Sequence, residues 1–395
     1  MHISSTKRLF SSAKFVTFLY ITATIFSYLY IIIFDVYNGD FINKDVYLDS
    51  QTLLVIFVIT VLPYICIYIV YKKYKRKEST NESIHYNLNY IRNITWFLIF
   101  IQILLLTSGY GQMGGDSIKI NGGIYSYVRA IFFKLTIKPW LVTYFLLAKN
   151  KKSIIITTIL FSIHTILAHS LGGFFLLAIL YTYKYFEKVK RFFKHNIIFV
   201  SILVCFIPNL VNVGYTIRSH LREGVGMSEN SMRDIMMGKL CGRISSFSNN
   251  AYIFQNAPQI IIDSPNIPSF FYLYDILHYW GYRPEFKSTG AYVNIQIKHS
   301  SNENLSVMPG IMGVLILSFV KSKNILLFNI ILIICLLFLV FMVLHRMKIE
   351  KSADIAFLLT IGFATSGDIS ELSTAIYILL FIWFTLSILN KISLK

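Results

Sequence analysis

The sequence predicts an all-α polytopic membrane protein with about ten or eleven transmembrane helices and one large periplasmic loop. Its 395 residues are 55% hydrophobic and only 14% charged, a composition outside the range of soluble domains. Apolar runs of about twenty residues, the length that a helix needs to cross a bilayer, recur along the whole chain. The placement of the basic residues is the third observation, and it orients these helices.

The net charge of +18 is concentrated in the connections between apolar runs, which hold more than half of the 37 lysines and arginines. Cytoplasmic connections of membrane proteins are enriched in Lys and Arg, so these connections and both termini are predicted to be cytoplasmic. The charge is thereby explained as a topology signal, and no nucleic-acid partner is expected.

Residues 1–213 are predicted to form an N-terminal membrane domain of seven helices: 15–34, 51–71, 91–107, 124–148, 153–168, 171–186 and 196–213. The first run lacks a small-x-small cleavage site and is expected to stay as an anchor. The apolar segment 153–186 would reach about 50 Å as one helix, which is too long for a core of roughly 30 Å. It is therefore predicted to form two short spans with a tight turn at His169-Ser-Leu-Gly-Gly173.

Residues 214–308 are predicted to form the large periplasmic loop, because they are polar and nearly neutral, with eight basic and seven acidic residues. A helix is expected near 231–250, and four prolines are expected to break the remainder into short pieces: Pro258, Pro265, Pro268 and Pro284.

Residues 309–395 are predicted to form a C-terminal membrane domain. It comprises a re-entrant or short helix at 309–321 and three spanning helices: 324–344, 353–367 and 372–390. The short helix keeps the basic residues that follow position 344 in the cytoplasm. If 309–321 crosses the bilayer, the total rises from ten to eleven.

Arg129 lies in the predicted span 124–148, about 8 Å below its outer end. A cation that faces lipid at that depth is unfavourable, so Arg129 is predicted to face a polar cavity and to contact an anion or an acidic partner such as Asp368. The alternative is an amphipathic interfacial helix over 124–138 whose cations reach the headgroups.

Three arginines of the predicted loop are candidates for binding an anionic group. Arg218 and Arg222 are four residues apart and would share one face of a helix, where two guanidinium groups suit a diphosphate. A solvated basic edge countered by Glu223 would give the same pattern. Arg243 stands among hydroxyl and amide side chains that could bind a saccharide or cap a helix. His169 could act as a base or cap its helix.

Four motifs in this order resemble those of bacterial O-antigen polymerases, the Wzy family: Gly109-Tyr-Gly111, His169-Ser-Leu-Gly-Gly173, Gly242-Arg243-Ile-Ser-Ser-Phe-Ser248 and Pro309-Gly-Ile-Met-Gly313. The resemblance implies a multi-pass glycosyltransferase of the C superfamily in the bacterial inner membrane, with its active site facing the periplasm. Such enzymes transfer the growing glycan from undecaprenyl diphosphate to the next undecaprenyl-diphosphate-linked repeat unit during lipopolysaccharide biosynthesis. By position, it implies that Arg218, Arg222 and Arg243 hold diphosphates.

The same resemblance implies no cofactor and no metal. It implies lipid-linked oligosaccharide substrates within the membrane, with a Wzz-type chain-length regulator and a flippase as partners. Two other functions remain open: an O-antigen ligase, which uses the same donor, and a polysaccharide flippase or other transporter. The long segment 214–308 favours an enzyme, since a transporter needs only short connections between its spans.

Overall fold

The computed structural model describes residues 11–41, 44–78, 84, 86–108, 131–132, 134–170, 172–196, 244–280, 288–298 and 307–393. Within these ranges the regular elements are helices, with one isolated β-bridge between Val36 and Asp45. The predicted all-α class is therefore confirmed.

The α-helices of the described residues are α1 (Ser12–Phe34), α2 (Ser50–Glu78), α3 (Leu88–Thr107), α4 (Ile137–Leu147), α5 (Lys151–Leu167), α6 (Gly172–Lys184), α7 (Phe186–His195), α8 (Phe247–Ile262), α9 (Phe271–Tyr279), α10 (Thr289–Lys298), α11 (Gly310–Lys321), α12 (Lys323–Arg346), α13 (Ser352–Thr360), α14 (Phe363–Ser366) and α15 (Ile369–Ser393). A 3₁₀ turn at Gly39–Phe41 lies between α1 and α2.

Five of these helices are long and apolar enough to cross a membrane: α1, α2, α3, α12 and the Ile369–Ile388 part of α15. Their outer surfaces expose large apolar side chains, as expected for helices that face lipid. The chain is accordingly a multi-pass membrane protein. The total of ten or eleven crossings stays a prediction, because 197–213 and most of 124–136 lie outside the described residues.

The helix bundle has one end that is rich in lysine, which we call the basic end. α2 finishes there with Lys75, Arg76 and Lys77 in its last turn. Lys75 Nζ lies 2.8 Å from the carboxylate of Asp354 in the first turn of α13. At the opposite end, α1 finishes at Phe34 and α2 begins at Ser50. The prediction that the basic end is cytoplasmic rests on the sequence.

The predicted break in the apolar segment 153–186 is confirmed, since α5 and α6 form a helical hairpin in contact with each other. Gly173 is required at its turn, because a Cβ at that position would overlap the side chain of Thr165. The predicted span 353–367 is helical but discontinuous, with α13 and α14 separated at Ile361 and Gly362. α11 has 12 residues, or about 18 Å, which is too short to cross a bilayer.

The expectation that Pro258 breaks the chain was wrong, because α8 continues through it. Proline removes one helical hydrogen bond, but Ala251, Ile253, Ala257 and Ile260 are all fully buried in α8. Burial on this scale stabilises a helix more than local propensity does, so packing keeps α8 intact. The helix expected near 231–250 lies mostly outside the described residues, and its described part begins at Phe247.

α8 lies inside the bundle, although its residues belong to the predicted periplasmic loop. Ser245, just before α8, is 3.2 Å from Thr24 in the middle of α1. Asn250 Nδ2 donates to Thr60 Oγ1 of α2 at 2.9 Å. Farther along α8, the Gln255 side chain accepts a hydrogen bond from the backbone N–H of Tyr47, just before α2 begins. α8 therefore starts near mid-height of the bundle and runs towards the end opposite the basic one.

Candidate functional site

Three interruptions of the helices meet near mid-height of the bundle: the start of α8, the start of α11 and the turn between α14 and α15. Tyr64, the middle residue of α2, marks this level, and its hydroxyl lies 2.8 Å from Thr365 Oγ1 of α14. Thr365 in turn donates to the carbonyl oxygen of Ile244 at 3.3 Å. We call this region the central junction.

Two glycines make the central junction sterically possible. Gly310 and Gly367 both have positive φ angles, 68° and 64°, which disfavour any residue with a Cβ. A Cβ on Gly367 would overlap the carbonyl group of Gly310, and a Cβ on Gly310 would lie 2.6 Å from Cβ of Ser246. The backbones of α11 and of the α14–α15 turn can therefore touch only because both residues are glycine.

Asn250 joins α8 to α11 through one end of its amide and to α2 through the other. Its Oδ1 accepts from the backbone N–H of Gly313 at 2.9 Å, which satisfies a donor in the first turn of α11. Its Nδ2 donates to Thr60 Oγ1. The described parts of two motifs named in the sequence, 244–248 and 309–313, consequently lie side by side in the structure.

Charged side chains border the central junction at the start of α15. Glu371 forms an ion pair with Lys138 of α4, with Oε2 and Nζ 2.8 Å apart and side-chain exposures of 32% and 35%. The Asp368 carboxylate is exposed, and its Oδ1 accepts from Ser370 N at 2.9 Å and from Ser370 Oγ at 2.6 Å. Ionisable groups this deep in a helical membrane bundle typically mark a functional cavity.

The helix starts add to the electrostatics of this region. α8, α11 and α15 all begin within a few residues of the contact between Gly310 and Gly367. Each helix start carries partial positive charge and backbone N–H donors. The central junction thus combines these donors with an ammonium group and two carboxylates, a set that can bind an anion and accept a proton.

α9 closes one side of the junction. The hydroxyl of Tyr272 donates to the carbonyl oxygen of Gly367 at 2.6 Å. One turn later, the buried Asp275 accepts hydrogen bonds from Thr289 N at 2.9 Å and from Thr289 Oγ1 at 2.5 Å. Burial raises the pKa of Asp275 to about 7, against the effect of these two hydrogen bonds.

All four arginines selected from the sequence, and one motif, lie outside the described residues: Arg129, Arg218, Arg222, Arg243 and Gly109–Gly111. Ile244, the residue that follows Arg243 in the chain, is described and contacts Thr365 through its carbonyl oxygen. The assigned roles of the four arginines stay predictions.

His169 lies in the turn that ends α5. Its φ is 52°, in the left-handed region, and its backbone N–H donates to the carbonyl oxygen of Ile166 at 2.9 Å. This is the backbone geometry of a helix cap, one of the two roles considered for the residue. The role as a base stays a prediction.

Sequence reasoning did not select Lys138, Glu371 or Asn250 as site residues, although Lys138 shares the predicted span 124–148 with Arg129. A signal for the first two was present, since each is an ionisable residue at the edge of an apolar run, and such residues often pair. The role of Asn250 could not be found in this way, because its partners Thr60 and Gly313 are 190 and 63 residues away in the chain.

Comparison of the chain with known protein families, with curated proteins and with solved structures finds no match. The residues and their geometry are therefore the basis for the functional conclusion.

Proposed function

We propose that this chain is an O-antigen polymerase of the Wzy type. It would transfer a growing glycan from undecaprenyl diphosphate to the next undecaprenyl-diphosphate-linked repeat unit at the periplasmic face of the inner membrane. One observation carries the proposal: the described parts of two Wzy-like motifs pack against each other and against the Gly367 turn, beside an accessible group of charged side chains.

The departure of the lipid carrier explains why this chemistry suits the central junction. When the bond between the sugar and the diphosphate breaks, negative charge develops on the diphosphate oxygens. Backbone N–H groups at helix starts stabilise such anions. We assign the same role to Lys138 and, as predictions from the sequence, to four arginines: Arg129, Arg218, Arg222 and Arg243.

The acceptor hydroxyl must lose a proton during the reaction, and we assign the role of the base that accepts this proton to Asp368. Its carboxylate is exposed, and only Oδ1 is engaged by Ser370. Glu371 is less suitable, because the ammonium group of Lys138 neutralises it. The acceptor oxygen bonds to the anomeric carbon, the bond from that carbon to the diphosphate breaks, and the electron pair leaves with undecaprenyl diphosphate. The proton passes to Asp368 and then to solvent.

Deletion of the gene in its own host, followed by electrophoresis of lipopolysaccharide, tests the proposal. A polymerase defect leaves core carrying a single repeat unit, and the intact gene on a plasmid restores the ladder of longer chains. Bare core would identify a ligase if completed polymer accumulates on the lipid carrier. It would identify a flippase if single lipid-linked units accumulate on the cytoplasmic side. Either pattern would contradict the proposal.

The arginines have their own test in the complemented strain. Arg218→Ala, Arg222→Ala and Arg243→Ala, together with Arg129→Gln, should abolish the ladder at normal protein levels. Arg222→Lys should restore it poorly, because an ammonium group lacks the planar fork that binds two oxygens. Arg92→Ala is the matched control, since the Arg92 guanidinium contacts only its neighbour Asn93 and the ring of Trp96 among the described contacts. A full ladder from an arginine variant would exclude that residue.

A further inference from the structure

α7 is an amphipathic helix at the basic end of the bundle. Its apolar residues lie three, four and seven positions apart, which places them on one face: Phe186, Val189, Phe192 and Phe193. The remaining face carries four cations, Lys188, Lys190, Arg191 and Lys194, against one acid, Glu187. This distribution is typical of helices that lie in the plane of a membrane surface.

A cleft of about 260 Å³ opens between α7 and the start of α1. Its lining consists of Phe15, Phe186, Val189, Phe193 and Lys190, so four apolar side chains and a single cation face the space. The rings of Phe15 and Phe186, with centroids 5.6 Å apart, form its inner wall. The cleft is therefore apolar inside and cationic at its edge.

The cleft continues into the surface of the bundle that faces lipid. Phe18, one turn along α1 from Phe15, is 56% exposed, and Phe192 and Phe193 of α7 are 48% and 50% exposed. Exposed aromatic side chains in such numbers are typical of contact with acyl chains or with the headgroup region. A phospholipid can therefore reach the cleft by lateral diffusion while it stays in the bilayer.

We propose that the cleft between α7 and α1 binds an anionic phospholipid, with one acyl chain against Phe186, Val189 and Phe193. Its phosphate or phosphoglycerol headgroup lies against Lys190 and Lys194. Charge complementarity selects the lipid class, because Lys190 lines an otherwise apolar cleft and α7 carries three further cations against one acid. The inference is independent of the proposed polymerase activity.

Native mass spectrometry of the full-length protein in detergent can test this site. The protein is mixed with equal amounts of phosphatidylglycerol and phosphatidylcholine that carry the same acyl chains, and the bound ratio is measured. The native chain should favour phosphatidylglycerol, and Lys190→Gln with Lys194→Gln should reduce that preference by about fivefold per lysine. Lys151→Gln with Lys152→Gln is the matched control, because these exposed lysines lie at the same end of the bundle but not at the cleft.

A second variant separates the acyl chain from the headgroup. Val189→Trp fills the cleft and should reduce binding of both lipids, whereas the glutamine variants should reduce binding of phosphatidylglycerol alone. Equal binding of the two lipids by the native chain would overturn the proposal. So would an equal loss of preference in the control lysine variant, which would indicate diffuse surface charge, or unchanged binding by Val189→Trp.

Discussion

Two regions of the bundle hold aspartates in opposite ways. At the basic end, both carboxylate oxygens of Asp354 accept hydrogen bonds. Oδ1 accepts from the hydroxyls of Tyr71 and Tyr183 at 3.0 and 2.6 Å, and Oδ2 accepts from Lys75 Nζ at 2.8 Å. At the central junction, Asp368 is exposed, and Ser370 supplies the only hydrogen bonds that it accepts among the described residues. One carboxylate ties three helices together, whereas the other keeps an oxygen available.

The difference separates structural charge from charge that can react. A buried carboxylate whose oxygens are all engaged holds its partners in place and has no capacity to receive a proton from a substrate. An exposed carboxylate with a free oxygen contributes little to stability but can accept a proton. The two regions should therefore respond to substitution in opposite ways.

The largest effect on stability is expected from Asp354→Ala. Removal of this carboxylate leaves the buried hydroxyls of Tyr71 and Tyr183 without their acceptor, whereas Lys75 keeps its ion pair with Glu78 at 2.8 Å. Two unpaired buried hydroxyls should cost about 3–5 kcal/mol in total. The thermal unfolding of purified protein in detergent measures the change. Asp263→Ala, at the exposed end of α8, is the control and should unfold close to the native temperature. Similar unfolding of both variants would remove Asp354 from its structural role.

A slightly smaller loss, of about 3 kcal/mol, is expected from Gly367→Ala. The alanine would have to adopt a left-handed backbone and its Cβ would overlap the carbonyl of Gly310. Gly362→Ala is the control, since the nearest heavy atom to its Cβ would be Lys138 Nζ at 3.8 Å. The fraction of folded monomer after size-exclusion chromatography reports both variants. Equal fractions would show that the close approach of the two backbones is dispensable.

A pH effect of intermediate size is expected from Asp275. Its pKa is about 7 in the folded chain and lower in the unfolded chain, so between these values the folded chain holds a proton that the unfolded chain has lost. Its contribution to stability is present at low pH and is lost as the pH rises towards and through about 7. The unfolding temperature should fall from pH 5 to pH 8, and Asp275→Asn should reduce that fall. An unchanged pH dependence in the variant would contradict this.

The smallest effect on stability, and the largest on activity, is expected from Asp368→Asn. Asparagine caps a helix as well as aspartate does, so the unfolding temperature should change by less than about 2 °C. The lipopolysaccharide ladder should nevertheless be lost in the complemented strain, because an amide cannot accept the proton. Asp263→Asn is the activity control. A normal ladder from Asp368→Asn would exclude Asp368 as the base while leaving the polymerase proposal testable by gene deletion.

The sequence allowed several elements to be predicted from local patterns alone. The break between α5 and α6 followed from the length of the apolar segment and the glycines within it, and the short helix at 310–321 followed from the basic residues beyond it. The site was harder to find. Arg129, Arg218, Arg222 and Arg243 were selected as cations near the outer face, whereas Lys138, Glu371 and Asn250 emerged from contacts between distant segments.

The sequence by itself determined that this chain is a helical membrane protein, because hydropathy and charge act through the bilayer on each segment separately. Only the tertiary structure decided that α8 lies inside the bundle and stays helical through Pro258, and that Gly310 contacts Gly367. It also decided that both carboxylate oxygens of Asp354 accept hydrogen bonds, since one of their donors, Lys75, is 279 residues away in the chain. Such contacts depend on which helix surfaces pack together, and packing is a property of the assembled bundle that no single segment encodes.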